Sequence, residues 1–235
     1  GEITMSIVER PKKGLRLLVN GERMSQPEFH RRYEACSEDE KWELVGGIVY
    51  VASPLKWKHS SFDGEIGYLL ESYRRATAGI DVTHNATAIL GDESEPQPDL
   101  AMRILPDYGG QSRINADDYV EGAPELVVEV AHSRRNLAMH AKHEDYRRSG
   151  VVEYLVILVE EREVHWFYFP DEEIRPNREG VSKSRVFPGF WIDIDALLRR
   201  DSERLLEVLG QGLASRPYAS FVKRLQAAHR RQGAK

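Results

Sequence analysis

Cysteine is almost absent from this chain of 235 residues, in which Cys36 stands alone. A single thiol excludes an internal disulfide framework and the zinc sites that need several cysteines. Long apolar runs are absent as well: no stretch approaches the ~20 apolar residues that span a bilayer, and the N-terminal stretch lacks the apolar segment of a signal peptide. These absences predict a cytoplasmic protein in a reducing compartment, without a membrane span.

A surplus of positive charge is also absent, because 33 lysines and arginines face 38 aspartates and glutamates, for a net charge of -5. Any contact with nucleic acid must therefore use a local basic patch. Glycine-rich phosphate loops and the Gly-x-Ser-x-Gly nucleophile elbow are missing, which disfavours nucleotide-driven and serine-hydrolase chemistry. His140, His143 and Glu144 lack the order of a zinc-binding HExxH motif and are better explained as solvated helix residues.

The apolar content is sufficient for one well-packed domain, since 41% of the residues are hydrophobic and 9% aromatic. We expect an N-terminal segment over residues 1–24 with a short strand at residues 15–19, a globular domain over residues 25–198, and a basic helical extension over residues 199–235. From Gln211 onward the chain has no acidic residue. This tail either follows a phosphate backbone or packs Phe221 and Leu225 on the domain or on a second subunit.

Strand and helix signals alternate along the globular domain. Helices are predicted from Ser25, over residues 58–75, between Asn136 and Gly150, and over residues 193–200. Strands are predicted over residues 42–52, 81–90, 99–105, 124–131, 152–159 and 164–169. This order predicts an α/β (α+β) fold with a central mixed sheet that is flanked by helices.

Acidic residues interrupt two of the predicted strands. Glu129 shares a strand face with Val127 and Ala131, and Asp99 opens the strand of residues 99–105. Because an unpaired buried carboxylate is strongly disfavoured, each acid must meet a cation, a metal or strong donors, or bind a proton. Lys142 is a candidate cation, since it lies on the apolar side of the predicted helix.

Two carboxylates and a lysine near the ends of adjacent strands suit metal-assisted hydrolysis of a phosphodiester. Magnesium prefers carboxylate and water oxygens, and a lysine beside it would hold the attacking water or offset developing negative charge. The residues leave open a second interpretation, in which Glu129 forms a buried structural ion pair with Lys142 or an arginine.

Several segments resemble the PD-(D/E)XK nuclease superfamily and, within it, the Uma-type family of restriction endonucleases. They lie, in order, at residues 43–50, 59, 97–100, 123–130, 142–146, 150–154 and 187–190. The resemblance covers roughly residues 26–198. It implies a restriction-endonuclease-like fold and an endonuclease that cuts DNA with Mg²⁺, for which Mn²⁺ substitutes. Because such enzymes often pair their active sites, it also implies a homodimer.

The resemblance assigns the central chemistry to four residues. Asp99 and Glu129 would ligate the metal, Lys142 would be the catalytic lysine and Glu43 an accessory acid. Taken without the resemblance, Glu43 has an alternative explanation as a solvated acid at a strand end.

Three further residues match the family pattern as possible accessory residues of the pocket, namely His59, Gln97 and Tyr146. Their alternatives are a hydrogen-bonded or partly buried histidine for His59 and plain packing for Gln97 and Tyr146.

Three positions depart from the family pattern. Ala131 occupies the place where the short Glu-x-Lys spacing would put the lysine, so Lys142 must act from the next helix. Asn136 and Leu158 stand where the family usually has acidic residues. These departures keep a second functional hypothesis open, a nuclease-like fold with weakened chemistry that serves as a nucleic-acid or protein binding module.

Overall fold

The computed structural model describes residues 16–37, 39–52, 56–133, 137–171 and 173–233. Its helices are Gln26–Tyr33 (α1), Trp57–Ala76 (α2), Leu137–Ser149 (α3), Ile194–Arg199 (α4), Ser202–Leu213 (α5) and Arg216–Gln232 (α6). Its strands are Trp42–Val45 (β1), Ile48–Val51 (β2), Ile80–His84 (β3), Ala88–Ile89 (β4), Leu100–Ile104 (β5), Arg113–Ile114 (β6), Val120–Glu121 (β7), Leu126–Ala131 (β8), Glu153–Leu158 (β9), Glu163–Tyr168 (β10), Val181–Lys183 (β11) and Trp191–Asp193 (β12).

A five-stranded mixed sheet in the order β10-β9-β8-β5-β3 forms the centre of the fold. β8 and β9 run parallel, because α3 connects them, whereas the other neighbours in this sheet are antiparallel. The predicted central mixed sheet with flanking helices is thereby confirmed.

Strand β8 lies at the middle of this sheet and is buried over all six of its residues. On one face, Val128 and Val130 join a core that includes Ile66 of α2. On the other face, Val127 packs in a second cluster with Tyr146 of α3. Burial on both faces explains why the strand is apolar at odd and even positions alike, and why its one acid needs partners.

Helix α2 agrees closely with its prediction over residues 58–75. The apolar positions that share its 3.6-residue period are all buried, namely Phe62, Ile66, Leu69, Leu70 and Tyr73. This face packs on the central sheet, so the helix holds its N-terminal turn at the end of the sheet where β5 begins.

Two strand predictions are wrong in their extent. Residues 16–19 form no strand. Backbone pairing of this segment with β2 begins at Gly21, whose N–H donates to the carbonyl of Val49 at 2.8 Å. The predicted strand of residues 81–90 is interrupted after His84, because Asn85 has a φ of 52°. An asparagine tolerates this left-handed conformation, but a continuous strand does not contain it.

The predicted helix boundaries are correct to within about one residue, and their caps have different outcomes. Ser25 occupies the N-cap of α1, but its side chain accepts no capping hydrogen bond. Asn136, the predicted cap of α3, lies outside the described residues. Gly150 follows the end of α3 with a φ of 94°, as expected for a residue that stops a helix in the left-handed region.

The C-terminal helices pack against the central core. Leu205 and Leu209 of α5, together with Phe221 and Leu225 of α6, are buried in the same cluster as the apolar face of α2. In the part of the chain that the structure describes, no helix combines the length and apolarity that crossing a membrane requires.

Candidate active site

Two acidic side chains are neighbours at one end of the central sheet. β5 and β8 pair with Leu100 opposite Val128, so Asp99, directly before β5, stands across from Glu129. The N–H of Val130 donates to Oδ2 of Asp99 at 2.7 Å and holds that carboxylate against β8. Both acids are buried, with 9% of Asp99 and 8% of Glu129 exposed. The pairing of β5 with β8 therefore brings together two acids that are far apart in the sequence.

Lys142 reaches this pair of acids from helix α3. Its Nζ lies 2.9 Å from Oε1 of Glu129 and 2.8 Å from Oε1 of Glu43, which β1 supplies. Burial opposes the charge on the ammonium, but the two carboxylates outweigh burial and raise the pKa of Lys142. Lys142 is therefore a charged lysine in a buried setting.

Glu43 and Gln97 both belong to this site, although they contribute differently. The backbone N–H of Gln97 donates to Oε1 of Glu43 at 2.7 Å, and the Glu43 side chain is only 12% exposed. The Gln97 side chain turns away and donates to the hydroxyls of Tyr33, at 2.7 Å, and Thr87, at 3.0 Å. Glu43 is thus not a solvated strand-end acid, and Gln97 supports the site through its backbone.

Tyr146 lies one turn after Lys142 on the same face of α3. Its hydroxyl donates to Oε1 of Glu129 at 2.7 Å. Burial, together with the charge of Glu129, raises the pKa of Tyr146 well above its ordinary value, so the phenol remains a neutral donor. Tyr146 therefore orients Glu129 in addition to filling the core.

The N-terminal part of α2 adds a histidine and a further acid. Nε2 of His59 lies 3.4 Å from Oδ1 of Asp99. Burial favours the neutral imidazole, but the hydrogen bond and charge of Asp99 outweigh burial and raise the pKa of His59. Asp63 follows one helical turn later, and burial together with the nearby Asp99 raises its pKa.

Asp63 was not identified in the sequence, although its spacing four residues after His59 was visible there. Its Oδ1 is buried and has no hydrogen-bond partner among the described residues. Nδ1 of His84 lies 3.9 Å from its other oxygen. Asp63 thus borders the site beside Asp99.

The electrostatic balance of the site is negative. Burial raises the pKa of Glu129 to about 7, with Asp99 and Glu43 acting in the same direction and Lys142 acting against them. The carboxylates of Glu43, Asp99 and Glu129 outnumber the one ammonium of Lys142, so a cation that entered here would relieve repulsion between like charges.

The donor set fits a hard divalent cation that takes few protein ligands. Lys142 and Tyr146 both donate to Oε1 of Glu129, so Oε2 takes neither of these hydrogen bonds. Val130 donates to Oδ2 of Asp99, and Oδ1 lies 3.4 Å from Nε2 of His59. Within the described residues, no three Asp, Glu, His or Cys side chains already form a metal-ligand group. Mg²⁺ is suited to such a site, because it usually retains several waters and uses one or two carboxylates.

The positions that depart from the family pattern have different structural consequences. Ala131 is buried in β8, and Lys142 from the following helix contacts Glu129 in its place. Leu158 is buried in the apolar cluster between the sheet and α3. Asn136 lies outside the described residues. Lys142 therefore contacts Glu129 although position 131 holds an alanine, whereas position 158 holds a buried leucine and no acid.

Comparison with known proteins gives a match to a family model and matches to solved structures. A family model described as "Uma2: Putative restriction endonuclease" matches residues 26–195. The solved structure of a protein from Anabaena variabilis, described as a "putative nuclease belonging to DUF820", has a TM-score of 0.59 and 14% identity, covering 75% of this chain and 98% of that chain. None of the curated proteins matches.

The family match and the structural match support different conclusions. At 14% identity, the likeness to the solved structure concerns the fold. The family model spans most of the chain and includes each of the acids and the lysine described above. The protein therefore belongs to the Uma2 family, which is described as "Putative restriction endonuclease", and it has a nuclease-like fold.

Proposed function

We propose that this protein is a Mg²⁺-dependent endonuclease that hydrolyses phosphodiester bonds in DNA. The observation that carries the proposal is the arrangement at Glu129: Lys142 reaches it at 2.9 Å from α3, and Asp99 stands opposite it on the neighbouring strand. Membership of a restriction endonuclease family supports a nucleic-acid substrate.

Asp99 and Glu129 would hold the metal, with water and substrate oxygens completing its coordination. A bound Mg²⁺ supplies charge stabilisation to the phosphate and lowers the pKa of a bound water. Mn²⁺ prefers the same oxygen ligands and is expected to substitute.

The chain's own side chains fix the geometry around that position. Val130 holds Asp99, and Tyr146 holds Glu129. From its position 2.9 Å from Glu129, the Lys142 ammonium would orient the attacking water and offset negative charge that develops on the phosphate. Because these groups are buried in β8 and α3 or, for Asp99, directly before β5, the site is preorganised.

Plasmid nicking in Mg²⁺ or Mn²⁺ tests the proposal with Asp99→Ala, Glu129→Ala and Lys142→Ala. We expect each variant to lose cleavage, while Glu144→Ala, on the exposed side of α3, cleaves like the wild type. A labelled RNA assayed in parallel tests the preference for DNA. Metal-independent cleavage, cleavage that survives in all three variants, or DNA binding without any turnover in the wild type would contradict the proposal; the last result favours the binding-module hypothesis.

A further inference from the structure

Helix α6 presents an exposed face whose charged residues are all basic. All charged residues of this 17-residue helix are basic. Its exposed lysine and arginines, defined here as the α6 basic face, are Arg216, Lys223, Arg224, Arg230 and Arg231. Arg216, Lys223 and Arg230 are spaced seven residues apart and form one column along the helix. Arg224 and Arg231 each follow a member of this column directly and form a second column beside it.

The members of the α6 basic face differ in their partners from most of the other arginines that the structure describes. Within the described residues, none of its five members forms an ion pair, although Arg224 stacks over the ring of Phe221. Arginines elsewhere pair with acids of the same chain, for example Arg32, Arg74, Arg103 and Arg204. In a molecule with a net charge of -5, this face is therefore a local concentration of uncompensated positive charge.

The opposite face of α6 is firmly attached to the domain. Phe221 is fully buried, and only 3% of Leu225 is exposed. The Tyr218 hydroxyl donates to the carbonyl of Ala76 at 2.7 Å, and the Gln232 side chain donates to the carbonyl of Pro106 at 3.0 Å. An amphipathic helix binds a membrane by inserting its apolar face, and here that face is already occupied by the core.

We propose that the α6 basic face is a binding surface for the phosphate backbone of a nucleic-acid duplex, without sequence preference. From Arg216 to Arg230 the helix rises about 21 Å. Measured along the axis of a duplex, this length corresponds to about six base-pair steps. Neutralisation of phosphates by lysine and arginine releases counterions, which is a sufficient driving force for binding that ignores the base sequence.

This surface lies away from the candidate active site. His59, beside Asp99, is at the start of α2, whereas Ala76, which contacts Tyr218 of α6, is at its end. These two ends of α2 are about 25 Å apart. The family match ends at residue 195, before α6 begins. The α6 basic face would hold a duplex on the protein at a distance from the candidate active site, and this binding does not require cleavage.

The test is a fluorescence anisotropy titration of a labelled 30-base-pair DNA duplex in EDTA at several salt concentrations, so that failure of the proposed endonuclease activity leaves the result unaffected. The neutralising variant combines Arg216→Gln, Lys223→Gln and Arg230→Gln. Its matched control removes the same number of exposed positive charges elsewhere and combines Lys41→Gln, Arg175→Gln and Arg178→Gln.

We expect the neutralising variant to bind the duplex at least ~10-fold more weakly at 50 mM salt, with a dependence of log affinity on log salt that is lower by roughly 3. The matched control should bind like the wild type, and a duplex of another sequence should give the same affinities. Unchanged thermal unfolding shows that the fold is intact. If the triple variant unfolds, the single exposed change Lys223→Glu replaces it, with an expected ~3-fold or larger loss.

Three results would overturn the proposal. One is equal duplex affinity for the neutralising variant and its control. Another is wild-type binding that is independent of salt. The third is a wild type that ignores the duplex but sediments with vesicles containing phosphatidylserine, and a neutralising variant that does not, since this would identify the face as a membrane-binding surface.

Discussion

Glu129 and Glu153 are two buried glutamates on the adjacent parallel strands β8 and β9, and their surroundings differ in kind. Glu153 is fully buried and accepts four hydrogen bonds, all from neutral groups. The donors are Nε1 of Trp166 at 3.1 Å, Oγ of Ser184 at 2.8 Å, the N–H of Arg185 at 2.7 Å and the N–H of Val186 at 3.0 Å. Glu153 thus fastens the segment after β11 to the sheet.

Glu129 has a lysine, a phenol and two other acids around it instead. Burial raises the pKa of both glutamates, so burial alone does not distinguish them. Their partners distinguish the two glutamates. Neutral donors occupy both oxygens of Glu153. Lys142 is shared between Glu129 and Glu43, so the negative charge of the site exceeds its positive charge. An acid of the first kind is structural, and one of the second kind fits the cation site proposed above.

The largest expected difference between the two glutamates is in cleavage. Glu129→Gln should lower the rate of plasmid nicking by at least ~10²-fold, because it removes the charge of a proposed metal ligand. Glu153→Gln should cleave at the wild-type rate per folded molecule. Nicking rates normalised to the folded fraction check both, and comparable losses in the two variants would remove the distinction.

Stability should show the reverse order. Glu153→Gln should lower the free energy of unfolding by about 2–4 kcal/mol, because an amide group cannot accept all four hydrogen bonds and leaves buried donors unsatisfied. Glu129→Gln should cost less, since Glu43 still pairs with Lys142. Urea unfolding followed by circular dichroism measures both values; a larger loss for Glu129→Gln would show that this acid is the structural one.

Two buried tyrosines allow a similar comparison between a site residue and a structural residue, with smaller expected effects. Tyr146→Phe should slow cleavage about 10-fold, because Glu129 loses an orienting donor, and should cost about 1 kcal/mol of stability. Tyr73 is equally buried, but its hydroxyl donates to the carbonyl of Pro188 at 2.9 Å, away from the site. Tyr73→Phe should therefore lower the free energy of unfolding by a similar amount and leave the cleavage rate unchanged. Cleavage rates and unfolding free energies measured in parallel for both variants test this expectation.

The pH dependence of the metal-free protein gives the smallest expected signal. The pKa of Glu129 is raised from 4.5 to about 7, so folding favours its protonated form. This contribution to stability is present below the unfolded pKa and is lost as the pH rises through about 7. The unfolding temperature of the wild type in EDTA should therefore fall relative to that of Glu129→Gln between pH 5.5 and pH 8. A constant difference between the two proteins would contradict this account.

Sequence patterns located the elements that bear the site. The apolar period of residues 58–75 predicted α2, and the apolar stretch around Glu129 predicted a central strand, because burial on one or both faces imposes a local pattern. The helical position of Lys142 likewise placed it on the inward face of α3. The interruption at Asn85 escaped notice, since one residue in a left-handed conformation changes no apolar period.

The sequence alone determined that an acid in a buried strand and a lysine on the apolar side of a helix needed partners, because the cost of burying a charge follows from local burial. Only the tertiary structure decided which partners they found. The β5–β8 register set Asp99 opposite Glu129, the docking of α3 gave Lys142 to Glu129 and not to Glu153, and the packing of α2 placed Asp63 beside Asp99. Strand register and helix docking depend on contacts between residues distant in sequence, which local periodicity does not encode.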